Sequence, residues 1–454
     1  MEFSELWFLF IFLPLTMLVY LLLPGIRTKN IFLLLASIVF YALLQPIYLL
    51  LFFWLTLMNH ALSHRIIPGK RATAAAPIAL SIAFLAIFKM MHLMPSLSVS
   101  EANLAEKLVL PLGISYYTFQ LISYQVDIYC GKIAPAQKLS DLLLYAFIFP
   151  KIITGPIVRY TDFAPQINER TVDGEKLLRG LVRFVVGLAK KVLLADHCGE
   201  IISQLDTDTS GAGAWLCALL FMFRIYFEFA GCSDMAIGMA KMMGFDFCEN
   251  FNTPYAAASI TDFWRRWHMS LSSFFRDYVY IPLGGNRKGK LRQIFNMFIV
   301  WALTGLWHGT TLNYLLWGIY FFVLLALEKQ FMPLLQKVKP WVRWFPTAFL
   351  ILFGWAIFAG QDIRSLFIFD RFFSATVSIY LRNSTPLLIA CAIGSSSLFK
   401  SLSGHCEGWA QRNHATKILY ALILIALAAA LLWVSTVSLI GATNAPDIYG
   451  GKLR

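Results

Sequence analysis

The stretch Asp262-Phe-Trp-Arg-Arg-Trp-His-Met-Ser-Leu-Ser-Ser-Phe-Phe-Arg-Asp-Tyr-Val-Tyr-Ile-Pro-Leu-Gly-Gly-Asn286 crowds charges, aromatic rings and a histidine into one short segment. Forty residues beyond that histidine, Thr304-Gly-Leu-Trp-His308-Gly309 closes an apolar run. Both stand out because the rest of the chain is so apolar. Of 454 residues, 58% are hydrophobic and 14% charged, where a soluble protein carries about 25% charged. Apolar runs recur from end to end, which is the pattern of a polytopic membrane protein. Inside a bilayer each helix satisfies its own backbone hydrogen bonds, so the expected fold class is all-α.

The remaining composition narrows the function classes. The start, Met1-Glu-Phe-Ser-Glu5, is acidic, and the run to Leu23 ends in Pro24-Gly25 without a small-residue cleavage site. It reads as a first span and not as a cleaved signal. The net charge of +13 is expected on cytoplasmic loops held by the positive-inside rule, with no nucleic acid implied. The seven cysteines are odd in number and lack a C-x-x-C pair, so neither a disulfide framework nor a metal site is indicated.

Candidate spans are 6–23, 31–45, 47–62, 74–92, 108–128, 177–195, 214–230, 293–311, 313–328, 346–360, 385–399 and 417–440. Arg27, Lys29, His64, Arg65, Lys70 and Arg71 follow the first and third spans, while the loop 196–213 has Asp196, Glu200, Asp206 and Asp208 and no Lys or Arg. Alternation then puts the N-terminus outside and the basic loops inside. Lys132, Lys138, Arg159 and Lys176 all fall inside, yet the apolar run Leu142 to Val158 lies among them, broken by Pro150, Gly155 and Pro156. A re-entrant hairpin reconciles the two, and such backbone is tolerated where protein buries it. The section 231–292 is the longest cytoplasmic one, too apolar for a soluble domain, with helices lying in or dipping into the membrane.

Each candidate has a bland reading beside the functional one. His308 is either a core histidine bonded to a carbonyl or a general base, flanked by Gly305 and Gly309 and by an apolar slot of Trp301, Trp307 and Trp317. His268 is either an interfacial anchor or part of a site; on one helix it would share a face with Trp264, as Arg266 would with Asp262. Arg265, Arg266, Arg276, Arg287, Lys288, Lys290 and Arg292 form a basic cluster suited to the phosphates of a cytosolic carrier or to anionic headgroups. Leu283-Gly-Gly-Asn-Arg-Lys-Gly289 lacks P-loop spacing. Arg224 and Glu228 read as an internal ion pair, and Asp196-His197-Cys198 as a loop whose adjacent residues cannot converge as a triad.

Several segments resemble the membrane-bound O-acyltransferase family, in the bacterial branch of alginate and peptidoglycan O-acetylation. They are Pro111-Leu-Gly-Ile-Ser-Tyr-Tyr-Thr-Phe-Gln120, Ser123-Tyr-Gln-Val-Asp127, Gly155-Pro-Ile-Val-Arg159, Phe229-Ala-Gly-Cys-Ser-Asp-Met-Ala-Ile-Gly238, Glu249-Asn-Phe-Asn-Thr-Pro-Tyr255, the opening stretch and Gly305-Leu-Trp-His-Gly309. The likeness covers residues 105–330 of one integral membrane domain, between N-terminal spans 1–104 and C-terminal spans 331–454. It implies a ring of tilted helices, with re-entrant and partial helices, around a central tunnel. It implies that His308 is the membrane-embedded catalytic histidine and His268 the second one. Trp264, Arg265, Arg266, Trp267, Arg276 and Asn286 are the donor-binding candidates, and Gly155, Asp234, Trp301 and Trp307 the tunnel-lining ones. The implied reaction takes an acetyl group from acetyl-CoA, with no resident cofactor, to an extracytoplasmic partner protein and thence a polysaccharide, in the bacterial inner membrane. D-alanyl transfer to teichoic acid lies in the same family, but that branch lacks the Tyr280-Ile-Pro-Leu-Gly-Gly-Asn-Arg287 continuation. A polysaccharide flippase is the rival from another class; the chain has no internal inverted repeat to support it.

The charge pattern makes a direct prediction. A cysteine at Lys288 resists an impermeant thiol reagent added to intact cells, and one at Thr209 reacts. The opposite pattern overturns the topology.

Overall fold

The computed structural model describes residues 3–91, 110–206, 208–309 and 311–441. The loop 93–107 and the tail from Asn444 lie outside the described residues. The elements are helices throughout. In chain order they are α1 (Leu13–Leu22), continuing a π-helical stretch Phe8–Phe12, then α2 (Ile26–Leu44), α3 (Pro46–Ser63), α4 (Arg71–Met91), α5 (Ile114–Tyr129), α6 (Leu139–Phe147), α7 (Phe149–Ile152), α8 (Tyr160–Asn168) and α9 (Gly174–Ala189). A π-helical stretch Lys190–Asp196 joins α9 to α10 (His197–Gln204), and α11 (Gly211–Met242) follows. Beyond it come α12 (Ile260–Arg266), α13 (Met269–Phe275), α14 (Lys290–His308), α15 (Leu312–Leu335), α16 (Pro340–Phe358), α17 (Ala375–Ser395), α18 (Leu398–Ala410) and α19 (His414–Gly441).

Among the described residues, eight helices are long and apolar enough to cross a membrane: α2, α3, α4, α11, α15, α16, α17 and α19. The chain is therefore a multi-pass membrane protein. Helices also occupy most of the described parts of the spans expected at 6–23, 108–128, 177–195 and 293–311, but they are shorter or less apolar. Two expectations need correction. The segment 231–242 is the last third of the 32-residue α11 and not part of a connecting section. Asp196-His197-Cys198 is helical, not a loop, because π and α hydrogen bonding run on from α9 to Gln204 without a break. Their polar atoms do diverge, the Asp196 carboxylate to Lys191 at 2.8 Å and the His197 Nδ1 to the Val192 carbonyl at 3.1 Å.

The chain forms two compact units. The first comprises Met1–Phe184 and Met235–Cys248. Here local sequence sets the breaks. Gly25, at φ 68°, turns the chain between α1 and α2, and Pro46 opens α3 at a position that needs no N–H. The Leu142–Val158 run becomes two helices of 9 and 4 residues, parted at Ile148; neither can cross a bilayer. Lys151 in the second of these helices is fully buried; its ammonium bonds Gln120 Oε1 and lies 4.2 Å from the Tyr145 ring centroid. Polar side chains tie α3, α4 and α5 together: Gln125 Nε2 donates to Asn59 Oδ1 at 3.0 Å and Ser81 Oγ to the same oxygen at 3.2 Å.

The second unit comprises Val185–Asp234 and Glu249–Arg454. Its core is aromatic, built on Tyr226, Phe227, Phe263, Trp267, Trp317, Phe321 and Trp355. Ser259 caps α12 by accepting from Asp262 N–H, and Ser374 caps α17 by accepting from Val377 N–H.

In the first unit α9 and α11 touch through glycine. A Cβ on Gly238 would sit 2.6 Å from the Gly180 carbonyl oxygen and 2.6 Å from Phe184 N, both unyielding backbone atoms. Alanine normally favours a helix over glycine by about 1 kcal/mol, so the sign of the effect is diagnostic. Gly238→Ala is expected to lower stability by about 1–3 kcal/mol, the usual range for overpacking. Gly408→Ala, where the added atom meets nothing within 4 Å, raises it or leaves it unchanged. Thermal unfolding of the two variants in detergent checks this.

Candidate active site

His268 lies where a helix breaks. α12 stops at Arg266, Trp267 is extended, and His268 adopts φ 42° and ψ 55° before α13 begins. The left-handed region costs a non-glycine residue about 1–2 kcal/mol, so neighbouring contacts must hold it. The segment Asn250 to Asn252 supplies them. Met269 N–H donates to the Asn250 carbonyl at 2.8 Å, and Asn252 N–H donates to the Arg266 carbonyl at 2.9 Å. The break means that Trp264 and His268 do not share a helical face, contrary to the one-helix expectation. The Asp262–Arg266 pair does form, at 2.9 Å.

The side chain of Asn250, itself buried, organises the imidazole. Its Oδ1 accepts from Ser270 N–H at 3.3 Å and from Ser270 Oγ at 2.9 Å, and lies 3.0 Å from His268 Nδ1. Its Nδ2 donates to Ser233 Oγ at 3.0 Å. Because Ser270 N–H can only donate, the amide oxygen and not the amide nitrogen must face it. His268 Nδ1 must then carry the ring proton, which leaves the lone pair on Nε2. The imidazole is only 3% exposed. Burial pushes its pKa down to about 3, so it is neutral at physiological pH.

His308 ends α14, and the hairpin into α15 brings further rings to it. Its centroid lies 5.2 Å from Trp317, 5.0 Å from Phe358 and 6.2 Å from Tyr314. The helices of this hairpin approach so closely that a Cβ on Gly305 would fall 2.6 Å from the Tyr314 carbonyl oxygen. One indole joins the two histidines. Trp307 lies 4.6 Å from His308 and 6.4 Å from His268 between ring centroids. His308 is half-buried and reachable, whereas His268 is sealed.

The other sequence candidates divide clearly. Trp264, Trp301 and Trp317 form one box, with Trp264 4.7 Å from Trp301 and 5.6 Å from Trp317. Trp267 packs 4.7 Å from Trp355 in the aromatic core. Arg265 and Asn286 are exposed, and Arg276 pairs with Asp277 at 2.7 Å. Asp234 pairs with Lys190 at 2.6 Å. Gly155 belongs to the first unit, where it packs on Lys151. Among the described residues, no three His, Cys, Asp or Glu side chains gather as metal ligands.

Sequence reasoning missed two supporting residues. Asn250 lay inside a quoted motif but had no role until its contacts were visible. Glu328 is a buried carboxylate on α15 that accepts from Ile260 N–H at 2.6 Å and Thr261 N–H at 3.0 Å, capping α12. An acid at the end of an apolar run was the available signal.

The model of MBOAT, the membrane-bound O-acyltransferase family, matches residues 136–369, which include both histidines, and the chain belongs to that family. A probable alginate O-acetylase of Pseudomonas fluorescens is 40% identical over 371 residues, covering 80% of this chain and 74% of the relative. A peptidoglycan O-acetyltransferase of Helicobacter pylori is 30% identical over 408 residues, covering 79% and 77%. A teichoic acid D-alanyltransferase of Bacillus subtilis is 31% identical over 276 residues, covering 56% and 69%. The protein is an O-acyltransferase.

By fixing the His268 tautomer, Asn250 is a positioning residue with a pH signature. Asn250→Ala frees both tautomers of His268 and lowers the acyl-transfer rate by roughly 10²–10⁴-fold, the range for general acid–base groups and their orienters. Asn250→Asp keeps an acceptor but adds a carboxylate, which favours the imidazolium and raises the His268 pKa. The rate then falls toward acid at a higher pH than in wild type. A pH–rate profile without that shift contradicts the assignment.

Proposed function

We propose that the protein passes an acetyl group from cytosolic acetyl-CoA to an extracytoplasmic acceptor, for O-acetylation of a polysaccharide of the alginate or peptidoglycan type. The observation that carries this reading is the pair of imidazoles flanking Trp307, one sealed and neutral, the other reachable. Its support is twofold: this geometry suits proton transfer during acyl transfer, and the similar proteins are named for O-acetylation of alginate and of peptidoglycan.

In this mechanism the half-buried His308 receives the proton of the acceptor hydroxyl as its oxygen attacks the thioester carbonyl. The tetrahedral intermediate collapses, the carbon–sulfur bond breaks, and the proton passes from His308 to the departing thiolate. The products are an acetyl ester and free CoA, and the imidazole returns to its starting form. His268, sealed and held with its ring proton on Nδ1 by Asn250, acts as a positioning residue that backs Trp307 beside His308. The apolar rings around His308 exclude bulk water, which strengthens local electrostatics and protects the thioester from hydrolysis. The acceptor is a serine of an extracytoplasmic partner protein, which then modifies the polysaccharide. At the end of α12, exposed Arg265, with Arg266 beside it on Asp262, attracts the phosphates of the donor. The protein sits in the inner membrane of a bacterium with its N-terminus outside.

The test is transfer of label from radiolabelled acetyl-CoA by the purified protein with an acetyl-accepting partner. His308→Ala abolishes transfer while thermal unfolding stays that of wild type, and His268→Ala and Arg266→Ala weaken donor binding, Arg266→Ala most at low salt. Near wild-type transfer by His308→Ala removes it from the proton-transfer role. Donor affinity unchanged in both other variants removes the cytosolic-donor half of the reading.

A further inference from the structure

The first unit, which holds neither His268 nor His308, contains a cavity of about 560 Å³ lined by Ile26, Glu169, Arg170, Lys176 and Asp246 among others. It lies where α2 begins, α8 ends, α9 begins and α11 has just ended. It is thus bordered by the ends of α2 and α11, two of the helices long and apolar enough to cross a membrane.

Arg170 is held there with unusual completeness. Its Nε donates to Tyr20 Oη and to the Met243 carbonyl, each at 3.2 Å, and its Nη1 to the Gln166 carbonyl at 3.1 Å and the Ile167 carbonyl at 3.3 Å. The guanidinium lies 4.1 Å over the Phe245 ring. Its Nη2 is buried without a hydrogen-bond partner among the described residues. Such a donor carries a desolvation penalty that an anionic oxygen removes. The opposite charge is also present. Glu169 is exposed at the wall, and Asp246 is only loosely engaged by Lys176, at 3.7 Å. A plain anion would meet two carboxylates here and a plain cation two bases; a zwitterion satisfies both sets.

We propose that this cavity binds the phosphoethanolamine headgroup of a membrane phospholipid, with its phosphate at Arg170 and its ammonium at Glu169. The lipid, and not the free zwitterion, is favoured by what adjoins the cavity. Leu15, Leu18 and Leu22 of α1 and its end, and Ile31, Leu35 and Val39 of α2, are exposed large apolar side chains within a few turns of Ile26. They form rails along which acyl chains lie while the headgroup is held.

Native mass spectrometry of the full-length protein in detergent tests this with phosphatidylethanolamine and phosphatidylglycerol of matched acyl chains, and with free phosphoethanolamine as competitor. Wild type retains one phosphatidylethanolamine in preference to phosphatidylglycerol. Glu169→Lys, an exposed change that leaves folding intact, shifts that ratio toward phosphatidylglycerol by about two- to fivefold, the usual worth of an exposed charge pair. Asp370→Lys, an exposed charge change in the other unit, leaves the ratio as in wild type. Equal retention of both lipids by wild type, or the same ratio in Glu169→Lys as in wild type, overturns the proposal. Binding of free phosphoethanolamine that the lipid cannot displace assigns the cavity to a soluble zwitterion and overturns the lipid source.

Discussion

The amide oxygen of Asn250 is the point on which the site depends. It receives the ring nitrogen of His268 and both donors of Ser270, while its amide nitrogen is anchored to Ser233 on α11. Each such bond contributes about 0.5–1.5 kcal/mol net, and together they offset the cost of the left-handed backbone at His268. That backbone is what allows the chain to end one helix and begin another within two residues. The break in turn aims the imidazole inward at Phe229, 5.4 Å away, and at Trp307.

A second constraint acts from the opposite end of the same short helix. Glu328 on α15 receives the first two N–H groups of α12, where a carboxylate also meets the positive end of the helix dipole. The same α15 places Tyr314 and Trp317 beside His308. One helix therefore carries contacts to both histidine-bearing segments, and Trp307 closes the arrangement between the rings. Aromatic pairs of this kind add about 0.5–1.5 kcal/mol each beyond their area. In a membrane, where the hydrophobic effect does little between helices, such packing and polar ties carry much of the specificity.

How much of this was readable in the sequence follows from the range of each interaction. Hydropathy is local and strong, so the all-helical, multi-pass class and most helices were evident from composition. His308 stood out because an ionisable residue between Gly305 and Gly309 in an apolar run is rare. The break read into the Leu142–Val158 run is present as two short helices, Leu139–Phe147 and Phe149–Ile152, parted at Ile148 shortly before Pro150. What failed was continuity. A helical period through 264–268 gives no sign of the left-handed turn, because that turn is imposed by Asn250, 18 residues earlier. The length of α11 was hidden for a related reason: Gly231, Ser233 and Asp234 look like a loop, but Gly231 is a contact point in the helix, where a Cβ would lie 2.7 Å from the Gly187 carbonyl oxygen. Asn250 and Glu328 are single polar residues whose meaning lies entirely in distant partners.

The central claim is that two histidines 40 residues apart in sequence serve one site. A double-mutant cycle in acyl transfer tests it most directly, using His268→Ala, His308→Ala and the double variant, with sensitivity sufficient to follow the residual rates. Groups that act together on one transition state are strongly non-additive. The account predicts that the double variant is no slower than the slower single variant by more than a few-fold. If the two losses instead multiply, within the roughly 0.3–0.5 kcal/mol expected of independent residues, the histidines act separately and the single-site account is wrong.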